Sequence, residues 1–204
     1  MNDKNKNSSR KWLFALTGWG GCLVIILCIG FLLLSAVRAI FIFVEPTESV
    51  IVISPYEPTG FRSEALSPGF HFLYPGERAF SIDLRHQTYL MSNNPDVPVQ
   101  SDFMEAATSD GQKIQVDISI TYRVNPEQVL SLYKTWRDGY RDGVVRPMSR
   151  GTTREVLAQY TFDEVLLKRD EINKVIFDKL APTLAENYLI LLAVEILEIR
   201  HANK

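Results

Sequence analysis

Apolar and polar residues alternate without a slip from Lys113 to Val124. Ile114, Val116, Ile118, Ile120, Tyr122 and Val124 fall on one side, Gln115, Asp117, Ser119, Thr121 and Arg123 on the other. A period of two predicts one long, half-buried strand. Asp110-Gly111 before it is a tight-turn pair, and Glu105 to Thr108 can supply the antiparallel partner. Upstream, Ser49-Val-Ile-Val-Ile-Ser54 predicts a buried strand ended by Pro55. Pro68-Gly69 and Pro75-Gly76 bracket Phe70 to Tyr74, and Phe80, Ile82 and Leu84 then alternate with Ser81, Asp83 and Arg85, so this region predicts a meander of short strands. Asn93 to Pro98 reads as a loop, and apolar Ala39 to Val44 fits either a helix or a strand.

Beyond Val124 the period lengthens. Asn125 as N-cap, Pro126 at the first position and Gln128 at the third open a helix carrying Val129, Leu130, Leu132, Tyr133 and Trp136. A second helix is predicted over Val144 to Tyr160. Thr161-Phe-Asp-Glu164 is a capping box that announces a third, with the apolar line Val165, Ile172, Val175, Ile176 and Leu180 and a kink or end at Pro182. Leu189 to Ile199 closes the chain as a strand, apolar on both faces at first.

The longest apolar feature lies at the start: no charged side chain separates Lys11 from Arg38. A helix crosses a bilayer with roughly 20 apolar residues, so Trp12 to Val37 is long enough. Lys4, Lys6, Arg10 and Lys11 precede the run and only Arg38 follows it closely, which keeps the N-terminus cytoplasmic and sends the rest across. A spanning helix is preferred to a cleaved signal peptide, whose core would be shorter, and to a re-entrant hairpin, for which no proline breaks the run. The expected organisation is a basic tail at 1–11, an anchor and juxtamembrane segment at 12–44, and one domain at 45–204.

Charge and cysteines narrow the classes. The net charge of the 204 residues is −2, so nothing global argues for nucleic acid, and both cysteines, Cys22 and Cys28, lie in the apolar run and form no metal motif. Neither Gly-x-Ser-x-Gly, His-Glu-x-x-His nor a phosphate-binding loop occurs, and the three histidines are scattered. The expectation is therefore a non-enzyme without cofactor or metal, with a membrane-anchored hydrolase of unrecognised site as the alternative.

Two patterns invite a functional reading. Arg146, Arg150 and Arg154 recur every four residues, preceded by Arg137 and Arg141. Like charges so placed repel unless neutralised. A solvated helix face is the plain reading. The sharper one is an oligomer interface in which the stripe meets carboxylates of a neighbouring copy, among them Glu164 and Glu171; lipid headgroups come third. The other pattern is aromatic: Phe61, Phe70, Phe72 and Tyr74, with Phe80, form a small β core or, together with Arg38, a membrane-interface patch.

In order along the chain, Ser49-Val-Ile-Val52, Leu66-Ser-Pro-Gly-Phe-His-Phe72, Ile82-Asp-Leu-Arg-His-Gln87, Thr108 to Asp117, Thr121-Tyr-Arg-Val-Asn-Pro126, Arg150-Gly-Thr-Thr-Arg-Glu-Val156 and Arg169-Asp-Glu-Ile172 resemble the SPFH or Band 7 family of stomatins, prohibitins and flotillins, the prohibitin-like branch most of all. The resemblance covers about Glu45 to Arg200. It implies an α+β fold, a β-meander with helices packed against it behind a transmembrane helix. It also implies a scaffold that forms large homo- or hetero-oligomers with related SPFH subunits on a lipid bilayer, organises membrane microdomains and regulates a membrane-bound AAA protease. A bacterial plasma membrane is the expected location, a mitochondrial inner membrane the alternative. Two departures stand out. Asn187-Tyr188 occupies the place of a family glycine, and the sequence stops at Lys204, where the family's long coiled coil is expected.

Overall fold

A computed structural model describes residues 25–32, 40–92 and 102–202. Residues 25–32 are helical, and no helix among the described residues is long and apolar enough to cross a membrane. Most of the expected anchor, the basic tail, Arg38 and the 93–98 loop lie outside the described residues.

Strand β7 (Lys113–Val124) occupies the span that the alternation predicts, and it is the spine of the domain. β8 (Leu189–His201) runs antiparallel along its whole length, with bulges at Asp117/Ile118 and Thr121/Tyr122. β5 (Gln87–Met91) and β6 (Met104–Ala107) pair with different stretches of β7, so they share its other edge end to end. Ile114, Val116, Ile118, Ile120, Tyr122 and Val124 are all at most 1% exposed. At about 1.5–3 kcal/mol for each large apolar side chain, their burial outweighs any surface ion pair of the domain. The opposite face keeps the polar residues, with Asp117 buried between Arg200 (2.6 Å) and Ser92 (2.8 Å).

The N-terminal strands do not form a meander. β1 (Phe41–Val44) pairs with β3 (Gly69–Phe72), and β2 (Glu48–Ile53) pairs with β4 (Arg78–Asp83), so each strand skips its sequence neighbour. The physical reason lies in residues 61–66, which return alongside β2 through bridges at Ile53/Phe61 and Val50/Leu66 and bring β3 back beside β1. Val44, Val50, Val52 and Leu73 form a small core here, while Ile51 and Ile82 join the main one. The described residues thus mix strands and helices as an α+β domain.

Asn125 caps the next element as expected, accepting from the Glu127 amide, but the first turn, Pro126–Gln128, is a 3₁₀ turn before α1 (Val129–Trp136). A π turn at Arg141–Val145 leads into α2 (Arg146–Leu157). The capping box of Thr161 and Glu164 is present in both directions. It opens only a short α3 (Phe162–Leu167); the chain breaks at Lys168 and restarts as α4 (Arg169–Glu186). Pro182 neither ends nor breaks α4. It sits in the last turns, and both Pro182 and Asp178, the residue whose carbonyl a helical amide at 182 would bond, are exposed. At the departure before β8, Tyr188 and not Asn187 takes the left-handed conformation, with φ 66°. Asn187 instead accepts from the Trp136 indole (3.2 Å) and donates to the Thr183 carbonyl (2.9 Å).

Candidate functional site

The β1–β3 pairing builds an aromatic ladder. Register sets Phe41 opposite Phe72 and Phe43 opposite Phe70, with ring centroids 5.9 and 4.9 Å apart. Phe72 continues to Tyr74 (5.3 Å) and Tyr74 to Tyr56 (6.3 Å). These rings remain between 45% and 80% exposed, Phe70 the most. Aromatic rings stacked edge to face and left in water are far more apolar surface than a two-stranded ribbon needs for its own stability.

The ladder is pinned from behind. Arg62 donates from Nε to Glu77 (3.1 Å) and from Nη2 to the Phe72 carbonyl (3.0 Å), while Glu77 also accepts from the Tyr74 amide (2.8 Å). The Glu77 side chain is 2% exposed. Burial pushes its carboxyl up, but the bonds from Arg62 and Tyr74 hold it below the usual range. Phe61 is not part of the ladder. It is half-buried and packs on Tyr133 of α1 (6.1 Å), because the strand-like return at Ile53/Phe61 turns it toward the main core. Phe70, Phe72 and Tyr74 are in the ladder, and Phe41 and Phe43 join them. Their alternation in Phe41-Ile-Phe43 was the signal, and it needed β1 to be known as a strand.

The arginine stripe lies against its own chain. Arg150 and Arg146 both reach Asp102 Oδ1 (2.7 and 2.9 Å), and Tyr89 donates its hydroxyl to the other carboxylate oxygen. Arg150 also donates to the Phe103 carbonyl (3.1 Å), and Arg154 donates to that of Glu105 (3.0 Å). The repulsion that favoured a neighbour's carboxylates is thus answered within the chain, by strand β6 and the residues before it. Glu164 caps α3 and pairs with Lys168 (3.0 Å), and exposed Glu171 makes no ion pair among the described residues; neither meets the stripe.

His71 shares a hydrogen bond with the Ser67 carbonyl (2.6 Å), and His201 stacks on Phe162 at 4.1 Å. Among the described residues no group of three or more His, Cys, Asp or Glu side chains could hold a metal ion. What this site offers is surface: an exposed aromatic face on the β1–β3 ribbon, and charged faces elsewhere.

The family model for "SPFH domain / Band 7 family" matches residues 42–204. Mitochondrial prohibitin-2 of Arabidopsis thaliana is 23% identical over 119 residues, 58% of this chain and 38% of that protein. A stomatin homolog of Pyrococcus horikoshii is 29% identical over 146 residues, 68% of this chain and 49% of that protein. A stomatin homolog of Pyrococcus abyssi is 29% identical over 141 residues, 66% and 47% respectively. The chain therefore spans half or less of the length of these relatives.

Proposed function

Because the chain belongs to the SPFH domain / Band 7 family, we propose that it is a membrane-anchored scaffold. In this reading the uncharged run Trp12 to Val37 crosses the bilayer once, with the N-terminus cytoplasmic and the domain on the far side. The Phe41/Phe43/Phe70/Phe72/Tyr74 face lies on the headgroup region beside it. Copies, alone or with related SPFH subunits, gather side by side into rings or cages that organise the enclosed membrane, and a membrane-bound AAA protease is the partner that such an enclosure would restrain.

The aromatic ladder is the observation that carries the membrane part. β1 begins three residues after Arg38, so the ladder cannot lie far from where the run leaves the bilayer, and aromatic rings with a polar companion such as Tyr74 favour that interface. Placing an environment-sensitive fluorophore at Phe70→Cys, in a Cys22→Ser/Cys28→Ser chain reconstituted into vesicles, tests it. The emission should shift to the blue and be quenched by lipids spin-labelled near the headgroup. Emission like that of a probe in buffer would sink the reading.

A further inference from the structure

A recess of about 510 Å³ opens between the start of β2 and the start of α1. Leu66, Leu84, Val129 and Leu130 give it apolar wall, and Glu48, Glu64 and Glu127 give it charge. No lysine, arginine or histidine is among the residues that line it. The cations nearby are spent elsewhere. Arg85, which feels Glu48, pairs with Asp83 at 2.7 Å; Arg62 donates to Glu77 at 3.1 Å, and Lys134 lies over the Phe61 ring at 5.5 Å. The recess is therefore acidic on an apolar floor.

Its walls also hold unspent polar groups. Residues 49 and 51 share one face of β2, and because Ile51 belongs to the main core, Ser49 is turned the same way. Ser49 lines the recess at 8% exposure, and its hydroxyl makes no hydrogen bond among the described residues. A buried hydroxyl left so is unfavourable until a donor or acceptor arrives. Beside β2, the Arg62 amide donates to the Val52 carbonyl (3.0 Å) and the Leu66 amide to that of Val50 (2.7 Å), so a step of four residues answers a step of two. Ser63, Glu64 and Ala65 are left over, and among the described residues their backbone groups make no hydrogen bond.

The three carboxylates do not converge on one ion, since among the described residues no group of three His, Cys, Asp or Glu side chains could hold a metal. Charge spread over an apolar trough, with free backbone groups in its wall, suits an extended peptide in which lysines alternate with apolar residues. The lysine stems lie on the leucines and the ammoniums reach the carboxylates.

We infer that this recess is the docking site for a lysine-bearing apolar segment of a partner protein. One ammonium donates to Ser49, and Glu48, Glu64 and Glu127 hold the segment's remaining charge. The contact needs neither the anchor nor self-assembly, so it stands apart from the scaffold reading.

Fluorescence anisotropy of a labelled Val-Lys-Val-Lys-Val peptide, titrated with the full chain in an uncharged detergent and corrected for micelles alone, tests this. The peptide should bind, less tightly as salt rises, and its Val-Glu-Val-Glu-Val counterpart should bind on the order of tenfold more weakly. Glu48→Gln/Glu64→Gln/Glu127→Gln should melt as the wild type does and lose on the order of tenfold in affinity for the lysine peptide. Ser49→Ala should melt no lower than the wild type, since it removes an unpaired hydroxyl, yet weaken the lysine peptide severalfold. A serine with only a structural role would shift the melting point and leave the peptide's affinity alone. A lysine peptide that does not bind, equal affinity for the two peptides, or a triple variant that binds as the wild type does overturns the proposal. Dissociation of the chain's own oligomers by the peptide also overturns it, because a second copy would then be the occupant.

Discussion

Asp102 is the hub on which α2 meets the sheet, so Asp102→Asn isolates what that hub contributes. Its side chain is 15% exposed and that of Arg150 is 20%. Arg150 donates to it at 2.7 Å, and Tyr89 donates to its second oxygen. A hydrogen bond to a charged group is worth about 1.5–3 kcal/mol. Asparagine keeps one acceptor and loses the charge, so the change should cost about 2 kcal/mol at neutral pH. Burial pushes the Asp102 carboxyl up, but the bonds from Tyr89 and Arg146 and the charges of Arg150 and Arg146 hold it below the usual range. A carboxylate depressed in the folded state contributes fully above its unfolded pKa of about 3.9 and loses the contribution as pH falls through the folded value. The gap between wild type and variant should therefore close on acidification below about pH 4. Urea unfolding in detergent, followed by near-ultraviolet circular dichroism at several pH values, measures it. A gap that stays the same from pH 7 down into strong acid would refute the reasoning, because the loss would then be one of shape and not of charge.

Arg62→Ala leaves Glu77 covered and without its guanidinium. The pair lies just under the surface, so the cost should be about 2 kcal/mol, below that of a deep pair, and a urea midpoint equal to the wild type's would count against it. Gly143→Ala would set a Cβ 2.9 Å from the Trp136 ring, which the Asn187 bond holds in place. About 1–3 kcal/mol should be lost with a change in Trp136 fluorescence, and an unperturbed midpoint would show that the ring can move aside. Alkaline phosphatase fused after Lys204 in a bacterium should be active if the anchor crosses once; activity only from a cytoplasmic reporter at that point would favour the hairpin.

Local signals were legible where they are self-contained. β7 announces itself because twelve residues alternate without interruption, and α3 because Thr161 and Glu164 satisfy each other's backbone. Pairing was not legible in the short N-terminal strands. Phe41 to Val44 and Gly69 to Phe72 carry no mark of each other, and which strand lies beside which depends on the return of residues 61–66. The break at Lys168 was hidden for a related reason. Val165 and Ile172 are both fully buried, so the apolar line runs on across two helices as it would along one. The arginine stripe was found, but two of its acceptors, the carbonyls of Phe103 and Glu105, are backbone atoms that every residue has.

Those two carbonyls say what the stripe is for. Phe103 lies just before β6 and Glu105 within it, and carbonyls two residues apart along extended chain point to the same edge. β6 pairs with β7 on its other side. Arg150 and Arg154 thus sit over what would be an open strand edge and occupy two of its acceptors, which interrupts the ladder that another chain would extend. On the far side of the sheet, β8 carries two bulges, and Asn173 of α4 accepts from the Ile196 amide (3.0 Å), which interrupts regular pairing there too. With both flanks guarded in this way, strand addition is a poor route for joining copies. A domain built like this meets other chains more readily through side-chain surfaces than through the edges of its longest strands.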